Sequence, residues 1–370
     1  MSIHVPEWIQ SLIPYPPGKP LQELEREYGI RDSIKLASNE NPLGPSPRAT
    51  AAIATALGEL HRYPEGGCHY LREAVAARLE VAPETLLFGN GSNELIELIV
   101  RTFLQPGETA LMADQAFVVY RLIVQAAGGR SVAVPLRDYT HDLEAIAAAI
   151  TPQTRIVFLA NPNNPTGTIF HRAEWERFLA RVPDDRLIVM DEAYAEFVED
   201  PEYPQSLAAV RAGRPVIVLR TFSKLYGLAG LRVGYGVARP DLIDLMNRVR
   251  QPFNVNSLAQ IGACAALGDH QHVERTRACN REGMQRLRTE CERLGCEVVP
   301  SWANFLLIRV GRGAALYEEL LRQGVIVRPM DGYGFPDHVR VTVGTEAENR
   351  RFVAALEKCL KARTARAASV

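Results

Sequence analysis

The chain has no apolar run approaching the roughly 20 residues that a membrane-spanning helix needs. It also has no dominant charge of one sign. Lysine plus arginine number 42 against 43 acidic residues, and a net charge of −1 gives no electrostatic reason to expect nucleic acid or an anionic membrane as partner. The six cysteines (Cys68, Cys264, Cys279, Cys291, Cys296, Cys359) form no C-x-x-C pair. Neither a disulfide framework nor a metal site is therefore expected, only reduced thiols packed as small hydrophobes. No internal repeat and no low-complexity tract is found. The opening MSIHVPEWIQSLIPYPPGKP lacks a basic stretch followed by an apolar one. No secretory signal is read there, a cytoplasmic location is expected, and the prolines suggest an extended arm.

What remains is an ordinary globular composition, 47% hydrophobic and 23% charged, in a chain of 370 residues that is long for one core and predicts two domains. Short β-rich runs recur: TLLFG (85–89), TALMA (109–113), SVAVP (131–135), RIVFLA (155–160), RLIVMD (186–191), PVIVLR (215–220) and RVGYGVA (232–238). Helical patterns such as SNELIELIVRTFL (92–104) and AEWERFLARV (173–182) lie between them. This alternation predicts an α/β fold with a mainly parallel sheet of seven strands. The last two runs are too close for a helical crossover, so one strand there is expected to be antiparallel. Beyond QPFNVNSLAQ (251–260), a charged helical stretch (270–294), four short apolar runs and a terminal helix (346–362) read as a smaller α+β domain. The expected divisions are an N-terminal arm (1–40), a large domain (41–255) and a small domain (256–370).

Ligand chemistry in an open parallel sheet gathers at the carboxyl ends of its strands. FGNGSNE puts Gly91 and Ser92, with the amide of Asn93, between a strand and a helix; this is a phosphate cradle or simply a turn capped by Ser92. Glu94 stands where the third glycine of a dinucleotide fingerprint belongs. NPNNPTG enforces a turn, and Asn164, restricted by Pro165, can also present its amide to a ligand oxygen. RLIVMDEAYAEF ends a strand on Asp191, which can pair with a buried cation near the Tyr194 hydroxyl or cap the next helix. A nucleotide-hydrolase reading of that Asp-Glu step needs a G-x-x-x-x-G-K-[ST] loop, which the chain does not contain. TFSKLYGLAGLRVG surrounds Lys224 with Thr221, Ser223 and Arg232. Hydroxyls and a guanidinium suit a phosphate, and a nearby cation lowers the lysine's pKa toward the neutral amine that Schiff-base chemistry requires.

Together these pieces match the needs of pyridoxal 5′-phosphate: a lysine for its aldehyde, an anion for its ring nitrogen, donors for its phenolate oxygen, a phosphate cup, and an aromatic face, for which Phe117 in DQAFVVY is suited. At this point the chain resembles the fold-type I pyridoxal-phosphate aminotransferases, and among them the histidinol-phosphate aminotransferases. The resemblance rests on PYPPGKP, KLASNENPLGPSP, HRYPEGGCHYLREAVA, FGNGSNE, NPNNPTG, DEAYAEF, RTFSKLYGLAGLRVGY and VRVTVGT, which span nearly the whole chain.

The resemblance implies roles for these residues. Lys224 would carry the cofactor as a covalent aldimine and move the proton at the substrate's Cα; Asp191 would keep the ring nitrogen protonated. Asn164 and Tyr194 would bind the phenolate oxygen, and Gly91, Ser92, Asn93, Thr221, Ser223 and Arg232 the phosphate. Phe117 stands where many relatives stack a tyrosine. Tyr63 would reach the phosphate in the neighbouring subunit of a homodimer, and Tyr15, Arg328 and Arg340 would contact substrate. The implied reaction converts histidinol phosphate and 2-oxoglutarate to imidazole acetol phosphate and glutamate. Relatives that transaminate aromatic amino acids, or decarboxylate threonine phosphate, share the cofactor motifs. A non-enzymatic module that kept the fold would have no need of Lys224.

Overall fold

The computed structural model describes residues 3–15 and 18–367. Pro16 and Pro17 of PYPPGKP, and the outermost ends of the arm and of the small domain, lie outside the described residues. In chain order the strands are β1 (Ile34–Lys35), β2 (Leu86–Gly89), β3 (Thr109–Ala113), β4 (Arg130–Val134), β5 (Thr154–Ala160), β6 (Leu187–Asp191), β7 (Val216–Thr221), β8 (Gly234–Val237), β9 (Glu297–Val298), β10 (Phe305–Arg309), β11 (Val325–Ile326), β12 (Arg328–Pro329) and β13 (His338–Thr342).

Strands β2 to β8 form one sheet in the order β2-β8-β7-β6-β5-β3-β4. Pairing is parallel from β4 through β3, β5 and β6 to β7, while β8 runs antiparallel to both β7 and β2. All seven expected runs are strands of this sheet, and β8 is the antiparallel member.

Apart from the edge strand β4, whose residues 130–133 are exposed, the sheet is buried on both faces, and successive side chains alternate between them. Val157, Leu159, Ile188, Met190, Val216 and Val218 enter one core. Their neighbours Ile156, Phe158, Val189, Ile217 and Leu219 enter a second. Helices Gly91–Phe103, Val119–Ala126 and Pro240–Val249 cover the second face, and His69–Leu79, Arg172–Arg181 and Ser257–Leu267 the first. A third core joins the sheet β12-β13-β10-β9 to the helices His270–Arg293, Gly313–Leu321 and Glu346–Ala367. No helix among the described residues is long and apolar enough to cross a membrane.

Two features differ from the sequence reading. The arm is not simply extended: Leu21–Tyr28 forms a helix whose Leu24 is fully buried against Ala37, Leu321 and Ile326, and β1 pairs with β11. Leu21, Leu24 and Tyr28 do recur at helical spacing, but over only two turns directly after Pro20. Ala259, Ala263 and Ala266, which follow the expected boundary at 256, pack in the core of the large sheet. The following long helix contributes Val273 to that core and Leu287 and Cys291 to the third. We therefore propose that the changeover between domains lies within His270–Arg293.

Leu24→Ala tests whether the N-terminal helix is part of the small core. Removing this buried leucine should cost about 2–4 kcal/mol in urea unfolding. A loss below about 0.5 kcal/mol would make the helix a surface appendage.

Candidate active site

The parallel strands bring their carboxyl ends to one edge, and there a cavity of about 410 Å³ opens between the large sheet and the small one. Tyr15, Ser92, Asn93, Phe117, Asn164, Asp191, Tyr194, Thr221, Ser223, Lys224, Arg232, Arg328 and Arg340 all line it. Gly91 lies directly behind, where a Cβ would stand 2.5 Å from Arg232 Nη2. Tyr63 is not brought to this cavity. It is 84% exposed and stacks on Phe253, centroids 5.1 Å apart.

The phosphate cup comes from three elements. The helix after β2 begins at Gly91 itself, with φ +71°, and Ser92 is not its cap. Its first-turn N–H groups have no intrahelical acceptor and face the cavity at Ser92 and Asn93. Gly234, at the start of β8, permits this approach, since a Cβ there would lie 2.7 Å from Ser92 N. Thr221 Oγ1 accepts from Ser223 N at 3.0 Å, and Arg232 reaches Ser223 Oγ at 3.4 Å and Ala229 O at 2.9 Å through Nη1. Arg232 has φ 55°, a strained conformation for a side-chain-bearing residue, and its head is thereby turned to the cup.

Asp191 ends β6 and is buried. Its Oδ2 accepts from the Tyr120 hydroxyl at 2.6 Å and its Oδ1 from Ala193 N at 3.1 Å, so it both serves the turn and faces the cavity. Burial raises its pKa, and the two hydrogen bonds oppose that rise. A buried carboxylate with lone pairs to spare is suited to an arriving N–H⁺.

Lys224 is also buried, and its pKa is lowered to about 8, first by burial and then by Arg340 and Arg232, against Glu40 and Asp191. The nearby cation invoked from sequence is thus secondary to desolvation, and Arg340 outweighs Arg232. Lys224 Nζ lies 3.3 Å from Ser38 O.

Within NPNNPTG the two asparagines divide the work. Asn163 builds the turn, accepting from Gly167 N through its carbonyl and bonding Thr166, Gln115 O and buried His141 through its amide. Asn164 Oδ1 accepts from Arg340 Nη1, which leaves its Nδ2 hydrogens for the cavity. Tyr194, with its pKa pushed up to about 12 by burial, remains a phenol, and Asn39 Nδ2 donates to it at 2.9 Å. Arg340 is buried, donates to Ala37 O at 3.0 Å and lies over Phe305, with Nε unpartnered. Arg328 lies over the Tyr15 ring at 5.3 Å.

Sequence reasoning did not single out Tyr120, Ser38, Asn39 or Tyr333, all of which line the cavity. Tyr120 lies three residues past Phe117, just inside the helix Val119–Ala126, and that nearness was its only available signal. Asn39 lay inside a quoted motif with no chemistry of its own to point to it. No group of three or more His, Cys, Asp or Glu among the described residues could hold a metal ion.

Residues 31–356 match the family model described as aminotransferase class I and II. Histidinol-phosphate aminotransferase 1 of Nitrosococcus oceani is 52% identical over 354 residues, 95% of this chain and 96% of that one. Histidinol-phosphate aminotransferase of Moorella thermoacetica is 51% identical over 356 residues, 96% and 92% of the two chains. Among solved structures, histidinol-phosphate aminotransferase of Sinorhizobium meliloti in complex with pyridoxal-5′-phosphate superposes with a TM-score of 0.89 at 28% identity, covering 98% of this chain and 99% of that one. The large mixed sheet, the cavity at its carboxyl edge and these matches lead to one conclusion: the chain belongs to the class I and II aminotransferases.

Proposed function

We infer that the protein is a pyridoxal-phosphate-dependent histidinol-phosphate aminotransferase, which moves the amino group of L-histidinol phosphate to 2-oxoglutarate and yields imidazole acetol phosphate and glutamate. The observation that carries this reading is the meeting, in one cavity, of a buried lysine with lowered pKa, a buried carboxylate, a helix N-terminus with an arginine, and two further arginines on the substrate side. The residues fit the cofactor. Gly91 and Gly234 leave the space that lets Arg232 and the Ser92 amide converge on a phosphate. Asp191 meets the demand for an anion, and Asn164 and Tyr194 retain donors for an oxyanion. When bound, the cofactor supplies an electron sink that makes the substrate's Cα–H acidic.

The chain's own residues do the rest. Lys224 would hold the cofactor's aldehyde group, and its amine, with a pKa lowered to about 8, would move the proton at the substrate's Cα. Asp191 keeps a proton on the ring nitrogen, Phe117 offers an apolar face, and Ser92, Asn93, Thr221, Ser223 and Arg232 retain the phosphate. Arg340 and Arg328, with Tyr15, present cationic and hydroxyl groups to the substrate's anionic end.

We also propose a homodimer in which Tyr63 completes the partner's phosphate site. Supporting this, Tyr63 is free of its own cavity, and the same stretch exposes Leu57, Leu60 and Tyr70 by more than half. A cytoplasmic location is proposed on the six free cysteines, and cell fractionation checks it.

Three outcomes are expected. With a pKa of about 8, Lys224 is mostly neutral above that pH and mostly charged below it. Capture of pyridoxal phosphate by the apoprotein, followed by absorbance, should therefore quicken with rising pH and level off above about 8, and Lys224→Ala should abolish it while lowering turnover by at least roughly 10²–10⁴-fold. A pH-independent capture rate, or turnover near wild type in Lys224→Ala, would end the assignment.

Arg328→Leu should reduce kcat/KM for histidinol phosphate by about 30- to 1,000-fold in the amino-donor half-reaction and that for phenylalanine only weakly. A dianionic phosphate can use two cationic forks, whereas a monocarboxylate needs one. Equal losses would deny Arg328 a role in phosphate recognition. Wild-type preference for phenylalanine, or decarboxylation of threonine phosphate, would move the assignment to those activities.

Mixed Lys224→Ala and Tyr63→Ala subunits, each inactive alone, should recover activity after exchange, since one site in each heterodimer is intact. No recovery after demonstrated exchange would count against shared sites.

A further inference from the structure

Residues 36–39 follow β1 without regular structure, yet three of them in succession touch three site residues. Ala37 O accepts from Arg340 Nη2 at 3.0 Å, Ser38 O from Lys224 Nζ at 3.3 Å, and Asn39 Nδ2 donates to the Tyr194 hydroxyl at 2.9 Å. The segment is tied to the small sheet. Leu36 N donates to Ile326 O at 2.7 Å, Thr342 N to Leu36 O at 2.8 Å, and Asn304 Nδ2 to Asn39 O at 3.1 Å. Asn39 is 1% exposed and left-handed, with φ 55°, a conformation that asparagine tolerates better than most residues and glycine best.

The hydrogen bonds through Asn39 have one consistent direction. Its backbone N–H donates to Thr342 Oγ1 at 2.9 Å, so the Thr342 hydroxyl directs its own hydrogen to Asn39 Oδ1, 3.2 Å away. With Oδ1 accepting, Nδ2 must face Tyr194 as a donor. The Tyr194 oxygen, accepting from Asn39, then keeps its hydrogen for the cavity that it lines. Flipping the amide would turn the phenol hydrogen back onto Asn39 and leave the Thr342 hydroxyl accepting twice without donating to Asn39. The charged and titratable groups around Tyr194 are Arg340, Asp191, Tyr333 and Lys224, whose Nζ lies 5.6 Å from the ring centroid; these set the field at the phenol without setting the direction of its O–H.

We propose that Asn39 is a positioning residue for the transamination: it fixes the direction of the Tyr194 O–H and, through Thr342, makes that direction depend on the seating of the small sheet. The inference deepens the reading above and rests on its cofactor assignment.

The test uses holoenzyme reconstituted with pyridoxal phosphate. Its near-visible absorbance is titrated against pH without substrate, and the half-reaction with histidinol phosphate is timed. Tyr194→Phe removes the directed hydroxyl and should raise the absorbance midpoint. Asn39→Gly accepts the left-handed backbone, so melting should stay within about 3 °C of wild type. It should nonetheless raise the midpoint in the same direction and slow the half-reaction roughly tenfold, the weight of one hydrogen bond. Asn39→Asp should shift the midpoint further, because a carboxylate accepts the phenol hydrogen and withdraws it from the cavity. Asn39→Gly combined with Tyr194→Phe should lose no more than Tyr194→Phe alone, since one acts through the other. A midpoint for Asn39→Gly within about 0.2 pH units of wild type, or losses that multiply in the double variant, would overturn the proposal. Should Asn39→Gly not fold, the same titration of Thr342→Val against Thr342→Ser decides, with only the serine expected to keep the wild-type midpoint. A wild-type holoenzyme with no such absorbance band would remove the cofactor reading and this inference with it.

Discussion

The parallel register of β5, β6 and β7 is the constraint on which the site depends. Ala160 lies opposite Asp191 and Asp191 opposite Leu219, and the ladder continues past the strand ends through Asn161 N to Asp191 O at 3.0 Å and Glu192 N to Leu219 O at 2.8 Å. Three segments distant in sequence therefore leave the sheet at one level, and Asn164, Asp191 and Lys224 follow from three successive exits. The antiparallel return of β8 completes the arrangement. Thr221 pairs with Gly234, which brings Arg232 back beside Ser223 and lays Gly234 against the first turn of the helix that starts at Gly91.

That register also sorts the first two acids of DEAYAEF. Adjacent residues at a strand end point to opposite sides. Asp191 faces the cavity, whereas Glu192 turns away and holds Arg220 at 2.7 Å with Ser206 as a second donor. Glu192 is 1% exposed, and its ion pair is fully hydrogen-bonded on both oxygens, the condition under which a buried charge is tolerated. The site itself is left less compensated. Asp191 is pushed toward its neutral form and Lys224 toward the amine, both chiefly by burial. A buried pocket whose charges are left partly uncompensated suits a cofactor that brings complementary charges, and the same burial lowers the lysine's pKa.

The seven strands were legible because each is a short apolar run bounded by polar turns, and in all but the exposed edge strand β4 burial on both faces leaves little room for another reading. The helix Leu21–Tyr28 was not, because it is buried through Leu24 against partners from residues 37, 321 and 326, none of which a local pattern can reveal. Of the site, the residues legible in sequence are those whose chemistry is unusual at a strand end: a carboxylate, a lysine among hydroxyls, an arginine among glycines. Tyr120 carries no such mark. It is an aromatic residue in an amphipathic helix, stacked 4.7 Å from Phe158 like any core residue, and only its hydroxyl's approach to Asp191 distinguishes it.

The sequence by itself determined the alternation of strands and helices, the residue types at the strand ends and, through them, the class of chemistry. Local composition suffices for these because hydrophobic period and side-chain functionality are properties of short segments. Only the tertiary structure decided how the small sheet enters the site. Arg340 became a neighbour of Asn164, and Asn39 of Tyr194, through hydrogen bonds between residues more than a hundred positions apart. Whether such polar groups meet depends on the packing of two separate cores, and a chain read residue by residue carries no measure of that distance.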